Sequence, residues 1–386
     1  MTAAELIQAI HNSATRAVIV TTGAGSQALA DLLAVGGASR TLVEGVIPYS
    51  MASLADFLGH TPEQAVAAST ARLLAGRALT RGRWLEGTSP VHVGLACTAA
   101  IASDRPKRGE HRAHVALWRP ERLVEFSLHL EKGVRDRAGE EALVSHVLLN
   151  ALADACGLAE RLPLASGAGD RLARASYEYS ALADQLQQGE RSWFGLRADG
   201  VILSSAETPR VIVAGSFNPL HEGHLGMAHA AGQLLDSHLE GTVTFELSAA
   251  NVDKPPLPPA TILDRIAQFA GRYPVCVSNA PTYVEKARLY PGATFVVGYD
   301  TAVRIFDPKY YQNSAKQMMA ALDELREQGC RFLVAGRTDS QGIFRTLADI
   351  EVPPAFADLF RAIPADLFQS DISSSELRAQ GMRGSR

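Results

Sequence analysis

The residues with the most chemical potential in this chain lie in one short run, Gly215-Ser216-Phe217-Asn218-Pro219-Leu220-His221-Glu222-Gly223-His224. Gly215 and Gly223 allow close backbone approach, and Pro219 stiffens the turn between them. His221 and His224 are three residues apart where the chain enters a helix, so both imidazoles can face one ligand. The N-terminus of a helix presents free N–H groups and a partial positive charge, which makes it an anion site. Two imidazoles beside it extend the donors toward a polyphosphate. This suits phosphoryl chemistry, in which catalysis is mostly positioning and neutralisation of charge in the transition state. Read plainly, the two histidines are packing or capping residues, or half of a zinc site.

With the glycines and the proline, the run reads Gly-x-Phe-x-Pro-x-His-x-Gly-His, six of ten positions specified. It resembles the signature of the nucleotidylyltransferase superfamily, which includes nicotinamide mononucleotide adenylyltransferases, phosphopantetheine adenylyltransferases and cytidylyltransferases. A second run about 150 residues later, Ile372-Ser373-Ser374-Ser375-Glu376-Leu377-Arg378, resembles that superfamily's Ile-Ser-Ser-Thr/Ser-x-x-Arg motif. Its plain reading is a capping box of Ser373 with Glu376. The resemblance implies catalytic roles for His221, His224 and Arg378. It also implies nucleotide contacts from Gly215, Ser216, Phe217, Gly223, Ser373, Ser374 and Ser375.

Further features are similar to one branch, the nicotinamide or nicotinate mononucleotide adenylyltransferases. Gly298-Tyr299-Asp300 resembles their Gly-x-Asp segment, which implies that Asp300 holds nucleotide. The Lys/Pro-containing stretch 251–257 resembles their loop near the acceptor, which implies acceptor binding by Lys254. The branch supplies a tryptophan after the Gly-x-Asp segment to stack on the pyridine ring. Here Phe306, Tyr310 and Tyr311 occupy that stretch, and Tyr310 is the candidate. Arg337 lies where the family often places an arginine near the nucleotide. The implied reaction moves AMP from ATP, or a nucleotide from another NTP, onto a small phosphate-bearing acceptor. Mg²⁺ would arrive with the NTP, and no dedicated metal site is expected. A cytidylyltransferase is the alternative enzyme, and a nucleotide-binding regulatory protein is the alternative outside catalysis.

These groups need a scaffold. A chain of 386 residues, 47% apolar and 20% charged, fits two globular domains. The expected fold class is α/β in both, with the C-terminal one a doubly wound, Rossmann-like parallel sheet. Strands expected at 211–214, 243–247, 275–277, 294–297 and 332–335 alternate with helices and put the first motif at the C-terminal edge of that sheet. The expected division is a first domain over 1–165, a linker with one helix (171–188) over 166–207, and a transferase domain over 208–386.

In the first domain, strands are expected at 17–20, 41–48, 91–98, 114–118 and 123–130, with helices at 3–13, 61–79 and 138–156. Residues 21–39 and 45–50 resemble the start of the CinA C-terminal domain, the nicotinamide mononucleotide deamidase family. That family's Glu-Ser-Cys-Thr-Gly-Gly falls on Thr21-Thr22-Gly23-Ala24-Gly25-Ser26, and its lysine falls on Leu54. A hydroxyl nucleophile needs an adjacent base or cation, and Leu54 is neither. Thr22 is the candidate nucleophile of a site expected to be catalytically worn. The turn 21–26 is still expected to offer N–H groups to a phosphate. Scaffolding, ligand sensing or homo-oligomerisation is the expected role of this domain.

The net charge of −4 gives no general attraction to nucleic acid or anionic membrane. Cys97, Cys156, Cys276 and Cys330 form no CxxC pair and read as reduced packing residues. No apolar run approaches the roughly 20 residues that span a bilayer, and a cytoplasmic location is expected.

Overall fold

The computed structural model describes residues 1–88, 90–104, 108–204, 206–235, 243–250, 255–339 and 341–369. The N-terminal unit contains α1 (Ala3–His11), β1 (Thr15–Thr22), α2 (Ser26–Ala34), α3 (Ala38–Thr41), β2 (Leu42–Val46), α4 (Met51–Leu58) and α5 (Ala68–Glu86). It continues with β3 (Val91–Ala100), β4 (His111–Arg119), β5 (Arg122–Leu130), α6 (Arg137–Ala155) and β6 (Arg171–Glu178). Its six-stranded sheet has the order β2-β1-β3-β4-β5-β6. β1 is parallel to β2 and β3, and the remaining pairs are antiparallel.

After α7 (Tyr179–Gln187), the second sheet is built from β7 (Trp193–Leu196), β8 (Val211–Gly215), β9 (Val243–Ser248), β10 (Val275–Ser278), β11 (Thr294–Gly298), β12 (Arg331–Ala335) and β15 (Phe360–Ile363). A small ribbon of β13 (Arg337–Thr338) and β14 (Phe344–Arg345) precedes β15. The helices are α8 (Glu222–Leu234), α9 (Pro259–Ile266), α10 (Tyr283–Leu289), α11 (Tyr299–Ile305) and α12 (Ala315–Glu327). The order is β15-β12-β11-β8-β9-β10-β7, parallel throughout except for β7 at the edge. Successive strands leave β8 on one side and return on the other at β11. The switch point, where open α/β sheets bind ligands, is therefore the C-terminal end of β8 and β11. Both sheets are α/β as expected, and among the described residues no helix is long and apolar enough to cross a membrane.

The segment expected as a linker is built into both sheets. Residues 171–178 form a strand on β5, and only 179–187 is helical. The sequence Arg-Leu-Ala-Arg-Ala-Ser-Tyr-Glu carries good helix formers, but the open edge of β5 supplies a full ladder of backbone partners, and tertiary pairing overrides propensity. β7 then adds antiparallel to β10, with Phe194 and Leu196 buried.

One apolar core runs through both units. It joins Val18, Leu74 and Trp118 to Phe217, Phe245 and Phe269. Small residues make this docking close: a Cβ on Gly76 of α5 would meet the Gly271 backbone nitrogen at 2.3 Å. Within the N-terminal unit, one on Gly94 of β3 would meet the Ala75 carbonyl oxygen at 1.9 Å. Polar ties reinforce it: Arg72 pairs with Glu125 and Asp199, Arg83 with Asp264 at 2.6 Å, and Tyr179 Oη donates to the Gly200 carbonyl at 2.7 Å.

A fragment starting at residue 205 lacks β7, so it loses the burial of Phe194 and Leu196, worth about 1.5–3 kcal/mol each. Denaturant titration of fragments 189–386 and 205–386 should give a clearly lower midpoint for the shorter one. Equal midpoints would contradict the structural role of β7.

Candidate functional site

The turn after β8 sits at the switch point and is fixed from several sides. Phe217 has a left-handed backbone (φ 42°), the next peptide, Asn218–Pro219, is cis, and the Phe217 side chain is fully buried. Gly215 leaves room for the Phe217 ring, which lies 3.0 Å from where a Cβ would stand. That ring packs edge-on to His224, Phe245 and Phe269, at 5.0, 5.6 and 5.2 Å between centroids. Gln268 holds the turn by its side-chain amide: Nε2 donates to the Phe217 carbonyl at 2.9 Å, and Oε1 accepts from the Leu220 N–H at 2.9 Å. Arg265 donates to the Ser216 carbonyl at 3.0 Å.

His221 is the N-cap of α8, and its ring stacks on that of His224 at 3.8 Å. The backbone N–H of His221 donates to Nδ1 of His224 at 3.3 Å. An amide N–H only donates, so Nδ1 must carry a lone pair and the proton of neutral His224 must sit on Nε2. Burial, and secondarily the neighbouring His221, push the His224 pKa down to about 3. Burial also lowers that of His221, although Glu222 opposes it. Both imidazoles are therefore neutral near pH 7. His221 Nδ1 is buried with no hydrogen-bond partner among the described residues.

Beside the turn lies a crevice of about 640 Å³. Gly215, Ser216, Ser248, Arg304 and Tyr310 are among the residues lining it. Its wall also contains Lys286, which is buried against Glu246. Lys286 Nζ donates to both carboxylate oxygens, at 2.7 and 2.8 Å, and to Ser248 Oγ at 3.0 Å; Ser278 Oγ donates to Glu246 at 2.5 Å. This network fastens the ends of β9 and β10 to α10.

The motif residues Gly215, Ser216, Phe217, His221, Gly223 and His224 are thus gathered at the switch point, and Tyr310 reaches the same crevice. Asp300 and Arg337 are also brought together, but as an ion pair beside a separate recess of about 300 Å³ with Tyr299, Thr338 and Asp339. Lys254, Ser373, Ser374, Ser375 and Arg378 lie outside the described residues. The last described stretch returns to α8, where the Phe368 ring lies 2.6 Å from the Cβ position of Gly226. Gln268, Glu246, Lys286 and Arg265 were not anticipated. One signal was present: Glu246 sits alone among apolar residues in a strand flanked on both sides.

In the N-terminal unit the expectation for the turn 21–26 is corrected. The carboxylate of Glu141 already fills it. Oε1 accepts from the Gly25 N–H at 3.0 Å, Ser26 Oγ at 3.1 Å and the Gln27 N–H at 2.9 Å. The donors that a phosphate would need are taken at the start of α2, where a negative charge is favoured. Thr22 is nearly buried, and among the described residues its hydroxyl has no hydrogen-bonded base or cation. Leu54 is a core residue.

Residues 212–380 match the family model described as cytidylyltransferase-like. A Schizosaccharomyces pombe protein named "Putative nicotinamide mononucleotide adenylyltransferase" is 29% identical over 131 residues, which is 30% of this chain and 50% of that protein. The chain thus spans half the length of this curated relative. The competence/damage inducible protein CihA from Agrobacterium tumefaciens is a structural neighbour at 20% identity and TM-score 0.34, covering 40% of this chain and 94% of that one. A competence-damaged protein (CinA) superfamily protein from Escherichia coli shares 16% identity at TM-score 0.32, covering 39% and 88%. The C-terminal half is thus similar to domains of the nucleotidyltransferase type.

Two outcomes follow from this geometry. Gln268→Ala removes both side-chain bonds to the turn and should cost about 1–2 kcal/mol in stability, while turnover falls roughly 10- to 100-fold through misplacement of the histidines. Steady-state kinetics beside denaturant titration checks it, and unchanged kcat would contradict the positioning role. Glu141→Ala strands two N–H groups at α2. It should lower stability by about 1–3 kcal/mol, and neither it nor the parent should release ammonia from nicotinamide mononucleotide.

Proposed function

We propose that the C-terminal domain transfers AMP from ATP to a pyridine mononucleotide and releases pyrophosphate. The observation that carries this reading is the paired, neutral His221 and His224 at the start of α8, directly after the turn whose Gly215, Ser216 and Asn218 line the switch-point crevice. An oxygen of the acceptor's 5′-phosphate attacks the α-phosphorus of ATP in line. The bond from that phosphorus to the bridging oxygen breaks, and pyrophosphate leaves with the electron pair. No covalent enzyme intermediate is needed. His224 donates its Nε2 proton as a hydrogen bond to a phosphate oxygen and is not consumed. His221, with an unsatisfied ring nitrogen in the same stack, supplies a second contact. The N–H groups of α8 add a fixed positive end.

Mg²⁺ enters as part of the Mg–NTP substrate and screens its phosphates. In this proposal Ser373, Ser375 and Arg378 hold the triphosphate. Support for a pyridine acceptor comes from the aromatic side of the crevice, whose lining includes Tyr310 and Tyr311, and from the name of the Schizosaccharomyces pombe relative. CTP is the second candidate donor, favoured by the description of the matching family. The N-terminal unit, with its turn closed by Glu141, is proposed to be without deamidase activity.

Pyrophosphate release measured for ATP, CTP and GTP against nicotinamide mononucleotide, nicotinate mononucleotide and phosphopantetheine tests the assignment. ATP with a pyridine mononucleotide should be the fastest pair, and no release with either mononucleotide would overturn it. His224→Ala should lower kcat by about 10² or more. A folded variant with parental turnover would remove His224 from the mechanism.

The lowered pKa of His224 also sets a pH dependence. The folded state holds it neutral down to about 3, whereas its ordinary value is 6.5. The unfolded chain takes up the proton first, so the stabilising contribution is complete above pH 6.5 and is lost as pH falls from there toward 3. His224→Gln should flatten the decline of thermal stability across that window. An unchanged slope would contradict the burial of a neutral imidazole.

A further inference from the structure

A second cavity, of about 800 Å³, lies between the two units on the far side of the catalytic turn. Five arginines and three carboxylates line it. Arg81 is paired with Glu44 at 2.9 Å and Arg83 with Asp264 at 2.6 Å. Arg77, from α5, and Arg272, after α9, have no ion pair among the described residues. Arg77 Nε donates to the Phe57 carbonyl at 3.0 Å, and Arg272 lies over the Tyr273 ring at 5.2 Å. The third carboxylate, Asp56, is exposed at the rim.

Burial lowers the pKa of Arg77, and Arg272 lowers it further by repulsion. Both guanidiniums are half-buried and face the cavity with no ion pair of their own among the described residues. Guanidinium forks match phosphate oxygens with paired, charge-assisted hydrogen bonds. Trp84 and Phe57 add ring surface to the same wall, and the volume is that of a small-molecule site. Asn218, Pro219 and Leu220 close the cavity on the transferase side, and Asn218 and Arg265 line both this cavity and the crevice.

We propose that this interdomain cavity is a second nucleoside-phosphate site: Arg77 and Arg272 take the phosphate, the aromatic wall takes the base, and the occupant touches the back of the catalytic turn. It uses no residue of the transfer chemistry and stands whether or not the acceptor is a pyridine mononucleotide.

Calorimetric titration of the full chain with AMP tests it. A binding event should be weakened about tenfold or more by Arg272→Met and by Arg77→Met, should survive His224→Ala, and should be absent with adenosine. Thermal unfolding of unliganded Arg272→Met should match the parent, because no native ion pair is lost. In the unsubstituted protein, AMP should protect Arg77 and Arg272 from phenylglyoxal, read by peptide mass mapping, so the answer does not depend on a variant folding. AMP binding indifferent to both methionine substitutions, abolished by His224→Ala, or matched by adenosine would overturn the proposal. So would modification of both arginines at the same rate with and without AMP.

Discussion

The bond from the His221 N–H to Nδ1 of His224 is the constraint around which the C-terminal site is organised. It fixes a tautomer, and the tautomer fixes what the ring can do. A half-buried neutral imidazole whose Nδ1 is an acceptor keeps its one proton on Nε2, where a phosphate oxygen could accept it. The bond needs the chain to enter α8 at one angle. That angle depends on the left-handed Phe217, the glycine that lets its ring fold back, and the Gln268 amide that ties both ends of the turn. The aromatic packing of Phe217 on Phe245 and Phe269 anchors the turn in the core of the sheet.

The wider fold serves the same geometry. The strand order places this turn at the switch point, and the Glu246–Lys286 network locks the ends of the neighbouring strands beside it. The apolar core continues from the second sheet into α5 and the first sheet, so the two units are packed on each other. The N-terminal unit's own anion turn is closed by Glu141.

The elements that sequence made legible are those whose geometry is local. Glycine, proline and paired histidines carry their meaning within ten residues, and the β-branched strands of both sheets read correctly because their apolar runs are short and bounded by turns. What was hidden depends on contacts distant in sequence. Gln268 reaches back to Leu220 across 48 residues, and Lys286 reaches Glu246 across 40. Residues 171–178 have the composition of a helix and become a strand because β5 offers an open edge. Glu141 looks like one more exposed position on a helix, and only the fold brings it to the turn 116 residues before it. Asp300 and Arg337 were each legible as candidates, but their mutual pairing was not.

Whether His224 is a neutral hydrogen-bond donor through Nε2 is read from long-range ¹H–¹⁵N correlation spectra of the histidine rings across pH 5–8. His224 should give a signal with a protonated Nε2 and an unprotonated Nδ1 that does not titrate over that range. A protonation midpoint near its ordinary value of 6.5, or the opposite tautomer, would contradict it.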